Sequence, residues 1–213
     1  MSLDLDACLS AVRIVPVITV PASPNSTALA APLAEALSEA GITAVEIALR
    51  TPGAELMLEL MAEHTGLTVG AGTVLTAQQA VRAGDAGASF LVSPGFDESV
   101  VAASRDVDVP IIPGVATATE LMRALRAGIT TVKLFPAEPI GGLATLKALS
   151  APFPGVRFMP TGGIGPEQAA DYLSIPQVVA ISGSWIAPVD LLERADFQQI
   201  RTRAEHAVKL AAA

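Results

Sequence analysis

The chain has 213 residues, 51% of them hydrophobic and 16% charged, with a net charge of −8, which excludes a disordered or fibrous protein and favours a globular one. No apolar run reaches membrane-spanning length and no basic stripe is present, so neither a membrane nor a nucleic acid is expected as partner. A single cysteine, Cys8, excludes an internal disulfide, and the acidic start Met1-Ser2-Leu3-Asp4-Leu5-Asp6 is opposite in charge to the basic head of a secretion signal; a cytoplasmic protein is expected.

Along the chain, short β-branched apolar runs alternate with alanine- and leucine-rich helical patterns, the signature of parallel βα units. The first predicted strand, 13–20, leads through Pro21-Ala22-Ser23-Pro24 to a helical stripe of Leu29, Leu33, Leu37 and Ala40. Further strands are predicted at 43–50, 67–73, 88–93, 109–113, 130–135, 156–161 and 177–183, and a final helix carries Phe197, Ile200, Ala204 and Ala207 on one face. Eight strands with intervening helices read as an α/β protein with a (β/α)8 TIM barrel, one domain over 1–213 with helical segments at both ends. A doubly wound sheet is the competing topology, but the Gly-rich fingerprint it carries after its first strand is replaced here by Pro21-Ala22-Ser23-Pro24.

Barrels bind ligands where their strands end, so the carboxyl ends of the predicted strands define the candidate site. They hold Glu46 and Arg50, Thr73, Ser93, Pro113, Lys133, Thr161 followed by Gly162 and Gly163, and Gly183 followed by Ser184. Alternation along a strand puts Val45, Ile47 and Leu49 on one face, leaving Glu46, Ala48 and Arg50 on the other; Thr131, Lys133 and Phe135 likewise share a face opposite Val132 and Leu134. A carboxylate, a guanidinium and an amine are thereby directed toward one mouth.

Lys133 is the most informative of these. Of the three lysines, Lys147 and Lys209 lie in helical patterns, whereas Lys133 stands in the otherwise apolar run Val132-Lys133-Leu134-Phe135. A buried amine either finds a partner or gives up its proton, and the neutral amine is a nucleophile. The two histidines, His64 and His206, lie in helical or helix-end contexts, and Cys8 precedes the first strand, so a Ser-His-Asp triad, a Cys-His pair or a His/Cys metal site is not expected. Two readings of Lys133 stand side by side on the residues alone: a nucleophile that forms an imine with a carbonyl substrate, and a structural ion pair with Glu46. Thr73 and Ser184 also admit a helix-capping role, the glycine pair a tight turn, and Trp185 a buried anchor.

Six ordered motifs then resemble the 2-keto-3-deoxy-6-phosphogluconate (KDPG) and 4-hydroxy-2-oxoglutarate (KHG) aldolases: Gly41-Ile42-Thr43-Ala44-Val45-Glu46-Ile47-Ala48-Leu49-Arg50, Val69-Gly70-Ala71-Gly72-Thr73-Val74-Leu75, Ser93-Pro94-Gly95, Ile112-Pro113-Gly114-Val115-Ala116-Thr117, Lys133-Leu134-Phe135-Pro136-Ala137-Glu138 and Pro160-Thr161-Gly162-Gly163-Ile164. The resemblance implies a class I, imine-forming aldolase on a barrel, usually a homotrimer, that needs no metal or organic cofactor and acts on a phosphorylated keto acid. It makes Lys133 the imine-forming residue and Glu46 the acid/base. Arg50 and Thr73 would hold the pyruvyl carboxylate, Phe135 and Pro94 would wall the pocket, Thr161 would be among the substrate-binding residues, and Gly162, Gly163, Gly183 and Ser184 would receive the phosphate end. Ala48, Ala116 and Ser182 depart from the family pattern, where threonine, serine and glycine are common. Other classes are a metal-dependent pyruvate aldolase, a phosphate-binding isomerase, or a phosphometabolite-binding barrel without catalysis.

Overall fold

Parallel strands bury both faces, which is why their runs in this chain are continuous rather than alternating in polarity. The computed structural model describes residues 5–64 and 66–212; positions 1–4 of the acidic start lie outside the described residues. In chain order the elements are α1 (Leu5–Val12), β1 (Ile14–Thr19), α2 (Ala30–Glu39), β2 (Ala44–Ala48), α3 (Ala54–Ala62), β3 (Thr68–Gly72), α4 (Ala77–Asp85), β4 (Phe90–Val92), α5 (Glu98–Asp106), β5 (Ile111–Ile112), β6 (Gly114–Val115), α6 (Ala118–Arg126), β7 (Thr131–Leu134), α7 (Gly142–Ser150), β8 (Arg157–Phe158), α8 (Pro166–Leu173), β9 (Ile181–Gly183), α9 (Val189–Glu193) and α10 (Phe197–Ala212).

Among the described residues the strands form one six-stranded parallel sheet in the order β5-β4-β3-β2-β1-β9 and one three-stranded sheet, β6-β7-β8. The predicted strand 109–113 divides at Pro113, which has no N–H to donate to a ladder. Its carbonyl accepts from Lys133 N at 2.9 Å, so the chain passes at this point from one sheet to the other. The predicted strands 156–161 and 177–183 shorten to β8 and β9, with isolated parallel bridges Phe158↔Val178 and Thr161↔Ser182 between them. The result is an α/β fold whose parallel sheet curls, with helices packed outside it.

The curl divides the apolar residues into two clusters. Val45, Ile47, Val132 and Leu134 face the helices in the larger cluster, as alternation requires, together with Leu33 and Leu37 of α2 and Ile200, Ala204 and Ala207 of α10. Leu29 of the predicted helical stripe falls instead in a 3-10 turn, Ser26–Leu29, before α2. A second cluster, on the inward face, joins Leu9 of α1 to Val15, Ala44, Phe90, Val92, Ile112 and Met159. Near the strand amino ends Asp6 accepts a hydrogen bond from Thr131 Oγ1 and pairs with Arg157 Nε at 3.2 Å. This leaves the carboxyl ends of the strands for the site.

Candidate active site

Strands β2 and β7 belong to different sheets, yet each contributes one inward charge. Lys133 Nζ lies 3.3 Å from Glu46 Oε1, with the two side chains 3% and 0% exposed. Such a pair survives burial because each charge offsets the desolvation of the other; removing either leaves a charge without compensation. Ser182 Oγ donates to the second carboxylate oxygen, Glu46 Oε2, at 3.4 Å, a long contact from β9. Room for the carboxylate comes from β3: a Cβ at Gly72 would lie 2.1 Å from Glu46 Oε1. The Phe135 ring centroid lies 5.2 Å from Lys133 Nζ and closes another side of the amine.

Arg50 differs from the expectation. Strand β2 ends at Ala48, so Arg50 is not an inward strand residue beside Glu46; it stands in an exposed turn at the rim. There its Nε donates to Thr73 Oγ1 at 2.9 Å. Thr73 follows β3 with φ of 60°, a conformation that a β-branched residue adopts at a cost and that tertiary contacts must hold. Neither Thr73 nor Ser184 caps a helix: α4 is capped by Thr76, whose side chain accepts from Gln79 N, and α9 begins after Pro188.

The remaining predicted residues divide into groups. Pro94 is half-buried, and its carbonyl approaches Gly114 so closely that a Cβ there would lie 2.1 Å from Pro94 O. Thr161 bridges to Ser182 and is buried. Gly162 and Gly163 take φ values of 102° and 83°, which favour glycine whatever binds nearby, and no acceptor among the described residues takes their N–H groups or that of exposed Ser184. Gly183 packs against Trp185, which is half-buried rather than the buried anchor expected and meets His206 edge-on at 6.3 Å.

Sequence reasoning did not find the contacts of Ser182, Gly72 and Glu138. Gly72 carried a readable signal, a glycine at an inward strand position; the contact of Ser182 depends on a neighbour 136 residues away. A cleft of about 410 Å³ lies away from this site, among Asp6, Arg105, Asp108, Gly128 and Thr131, and includes neither Lys133 nor Glu46. No group of three or more His, Cys, Asp or Glu suited to a metal occurs among the described residues, and no helix among them is long and apolar enough to cross a membrane.

A parallel α/β scaffold with a buried lysine–carboxylate pair beside its strand carboxyl ends defines a protein equipped for amine chemistry on a carbonyl compound. The family model described as "Aldolase: KDPG and KHG aldolase" matches residues 5–203. The chain belongs to the KDPG and KHG aldolase family. It is 44% identical over 203 residues, 95% of each chain, to the 2-dehydro-3-deoxy-phosphogluconate aldolase of Treponema pallidum (strain Nichols). Among solved structures it resembles the KDPG aldolase of Legionella pneumophila with pyruvate captured as a covalent carbinolamine intermediate, with a TM-score of 0.88, 39% identity and coverage of 94% of this chain and 96% of that one. It is also similar to the 2-keto-3-deoxy-6-phosphogluconate aldolase of Zymomonas mobilis ZM4 with 3-phosphoglycerate, with a TM-score of 0.88, 38% identity and coverage of 96% and 94%.

Proposed function

We propose that this chain is a class I aldolase cleaving 2-keto-3-deoxy-6-phosphogluconate to pyruvate and glyceraldehyde 3-phosphate. The observation that carries the reading is the buried Lys133–Glu46 pair at 3.3 Å beside the strand carboxyl ends. The covalent pyruvate adduct in the similar Legionella enzyme and the ligand in the similar Zymomonas enzyme support the two halves of the substrate. The family description includes KHG aldolases, and the same steps on 4-hydroxy-2-oxoglutarate release pyruvate and glyoxylate. The 6-phosphogalactonate analogue is a related candidate substrate.

In this mechanism the neutral Lys133 amine attacks the C2 keto carbon and water leaves, giving an iminium. Glu46, directly or through a water, takes the C4 hydroxyl proton; the C3–C4 bond breaks, the aldehyde departs and the electron pair moves to the iminium, leaving an enamine. Glu46 returns a proton to C3, and water hydrolyses the imine to pyruvate. Arg50 and Thr73 hold the pyruvyl carboxylate, a planar guanidinium suiting it. Phe135 and Pro94 wall the pocket, Thr161 is among the substrate-binding residues, and the N–H groups around Gly162, Gly163 and Gly183 together with the Ser184 hydroxyl receive the phosphate.

We also infer that both sheets form one closed (β/α)8 barrel within a single domain; the bond between Lys133 N and Pro113 O and the two isolated bridges near β9 support it. On the same reading the protein is a cytoplasmic homotrimer. Exposed Leu56, Leu60, Val81 and Met122 support association; sedimentation equilibrium giving the mass of one chain would exclude the trimer.

The test is incubation with pyruvate and borohydride, which reduces an imine to a stable secondary amine, followed by peptide mass spectrometry. An adduct on Lys133 is expected. Folded protein without it, under conditions that label a control aldolase, sinks the imine mechanism and leaves a metal-dependent aldolase, a phosphate-binding isomerase or a binding-only barrel.

A further inference from the structure

Glu138 closes the motif Lys133-Leu134-Phe135-Pro136-Ala137-Glu138, and the aldolase mechanism gives it no role. It stands in the 3-10 turn Glu138–Ile140, just beyond Phe135. Its Oε1 accepts a hydrogen bond of 2.5 Å from the Tyr172 hydroxyl on α8, and Tyr172 is fully buried. Two glycines shape the slot: a Cβ at Gly142 would lie 2.8 Å from Glu138 Oε1 and 3.1 Å from the Tyr172 oxygen, and one at Gly163 would lie 2.7 Å from Glu138 Cβ. Any larger side chain at either position would displace the carboxylate.

The link ties together the segment between Thr161 and α8. At its first end, Ala137 N donates to Thr161 O at 2.8 Å and Glu138 N to Gly162 O at 3.0 Å. At its far end, the helix that starts with Pro166 is held to the same Glu138 by Tyr172. Within this span Gly162 and Gly163 take φ values of 102° and 83°, and no acceptor among the described residues takes their N–H groups. Two donors aimed by a turn bind an anion well only when the turn is held in one conformation. Burial, with the neighbouring Glu138 carboxylate, pushes the Tyr172 phenol well above its ordinary pKa, so it stays a donor.

We propose that Glu138 and Tyr172 are positioning residues whose half-buried hydrogen bond fixes the Gly162–Gly163 turn and thereby sets the affinity of the site for the phosphate end of its substrate. The inference rests on the aldolase reading for the substrate, but its physical content is the binding of a phosphate monoester or inorganic phosphate at those amides. Neither residue touches the bond that breaks. Their loss therefore affects KM for a phosphorylated substrate and leaves pyruvate chemistry at Lys133 intact.

The experiment titrates inorganic phosphate against the amide NMR signals of Gly162, Gly163 and Ser184 in the full chain and in Tyr172→Phe, Glu138→Ala and Glu138→Gln. KM and kcat are measured in parallel with phosphorylated and unphosphorylated keto acids. Tyr172→Phe is expected to weaken phosphate binding and raise KM for the phosphorylated substrate roughly tenfold, within the range that small misplacements produce. The unphosphorylated substrate and the borohydride-trapped adduct should stay at the parent level. Glu138→Ala repeats the loss and serves if Tyr172→Phe fails to fold; Glu138→Gln, which keeps an oxygen acceptor, restores most of the affinity. Equal losses on both substrates, an unchanged phosphate affinity in folded variants, or no phosphate response at these amides in the parent protein would each overturn the inference. Absence of a lysine adduct in the parent defeats the aldolase reading alone, since the phosphate titration is scored independently.

Discussion

At the scale of single residues, the site depends on two side chains that are each costly to bury and tolerable together. Lys133→Ala is expected to abolish cleavage and also to destabilise the fold by about 3–5 kcal/mol, because Glu46 is left as a buried carboxylate facing no cation. Adding Glu46→Gln to Lys133→Ala should recover much of that stability in urea unfolding while restoring no activity; a double variant as unstable as the single one would show that the pair is not the source. Gly72 admits a sharper test. Gly72→Ala places a methyl group where Glu46 Oε1 now lies, at 2.1 Å. The expected result is a folded protein, less stable by about 1–3 kcal/mol, whose exchange of pyruvate methyl protons with solvent falls far more than its yield of trapped lysine adduct. Normal exchange in this variant would mean that the carboxylate is free to move and that its confinement has no part in proton transfer.

At the scale of elements, helices are started by residues that stand outside them. Thr117 and Glu120 form a reciprocal capping box at the start of α6, and Asp97 at the start of α5 accepts from Ser99 N and Val100 N. The Ser99 hydroxyl above all, then the backbone N–H of Val100, holds the Asp97 carboxyl below its ordinary value of 3.8. A depressed carboxyl pKa stabilises the folded state in full above the unfolded value, and that contribution is lost as pH falls through the folded value. The stability advantage of the parent over Asp97→Asn should therefore be constant near neutrality and shrink below about pH 3.8; urea melts across this window check the sign, and an advantage that grows on acidification would refute it. Element ends also mark where periodicity stops informing. The alternation that puts Glu46 inward would put Arg50 inward too, but β2 ends at Ala48 and the chain turns, leaving Arg50 at the rim beside Thr73.

At the scale of the whole molecule, the curl of the sheet makes an inner core distinct from the outer one, and α1 covers its strand-amino end. Leu9 is fully buried among Val15, Phe90 and Ile112. Leu9→Ala should cost about 2–5 kcal/mol in unfolding free energy and, acting far from Lys133, leave the trapped adduct unchanged; a loss below 1 kcal/mol would show that α1 does not brace the inner core. The sequence by itself determined the parallel α/β character, the inward placement of Glu46 and Lys133 and the family, because strand periodicity and motif order are local properties that survive without coordinates. Only the tertiary structure decided which inward residues meet. Ser182 reaches Glu46 across 136 residues, Tyr172 reaches Glu138 across 34, and Gly72 makes room for a carboxylate on the neighbouring strand. These contacts follow from the register between strands, the curl that turns β2 and β7 toward each other and the path of the loops, all set by how the whole chain packs rather than by any one segment of it.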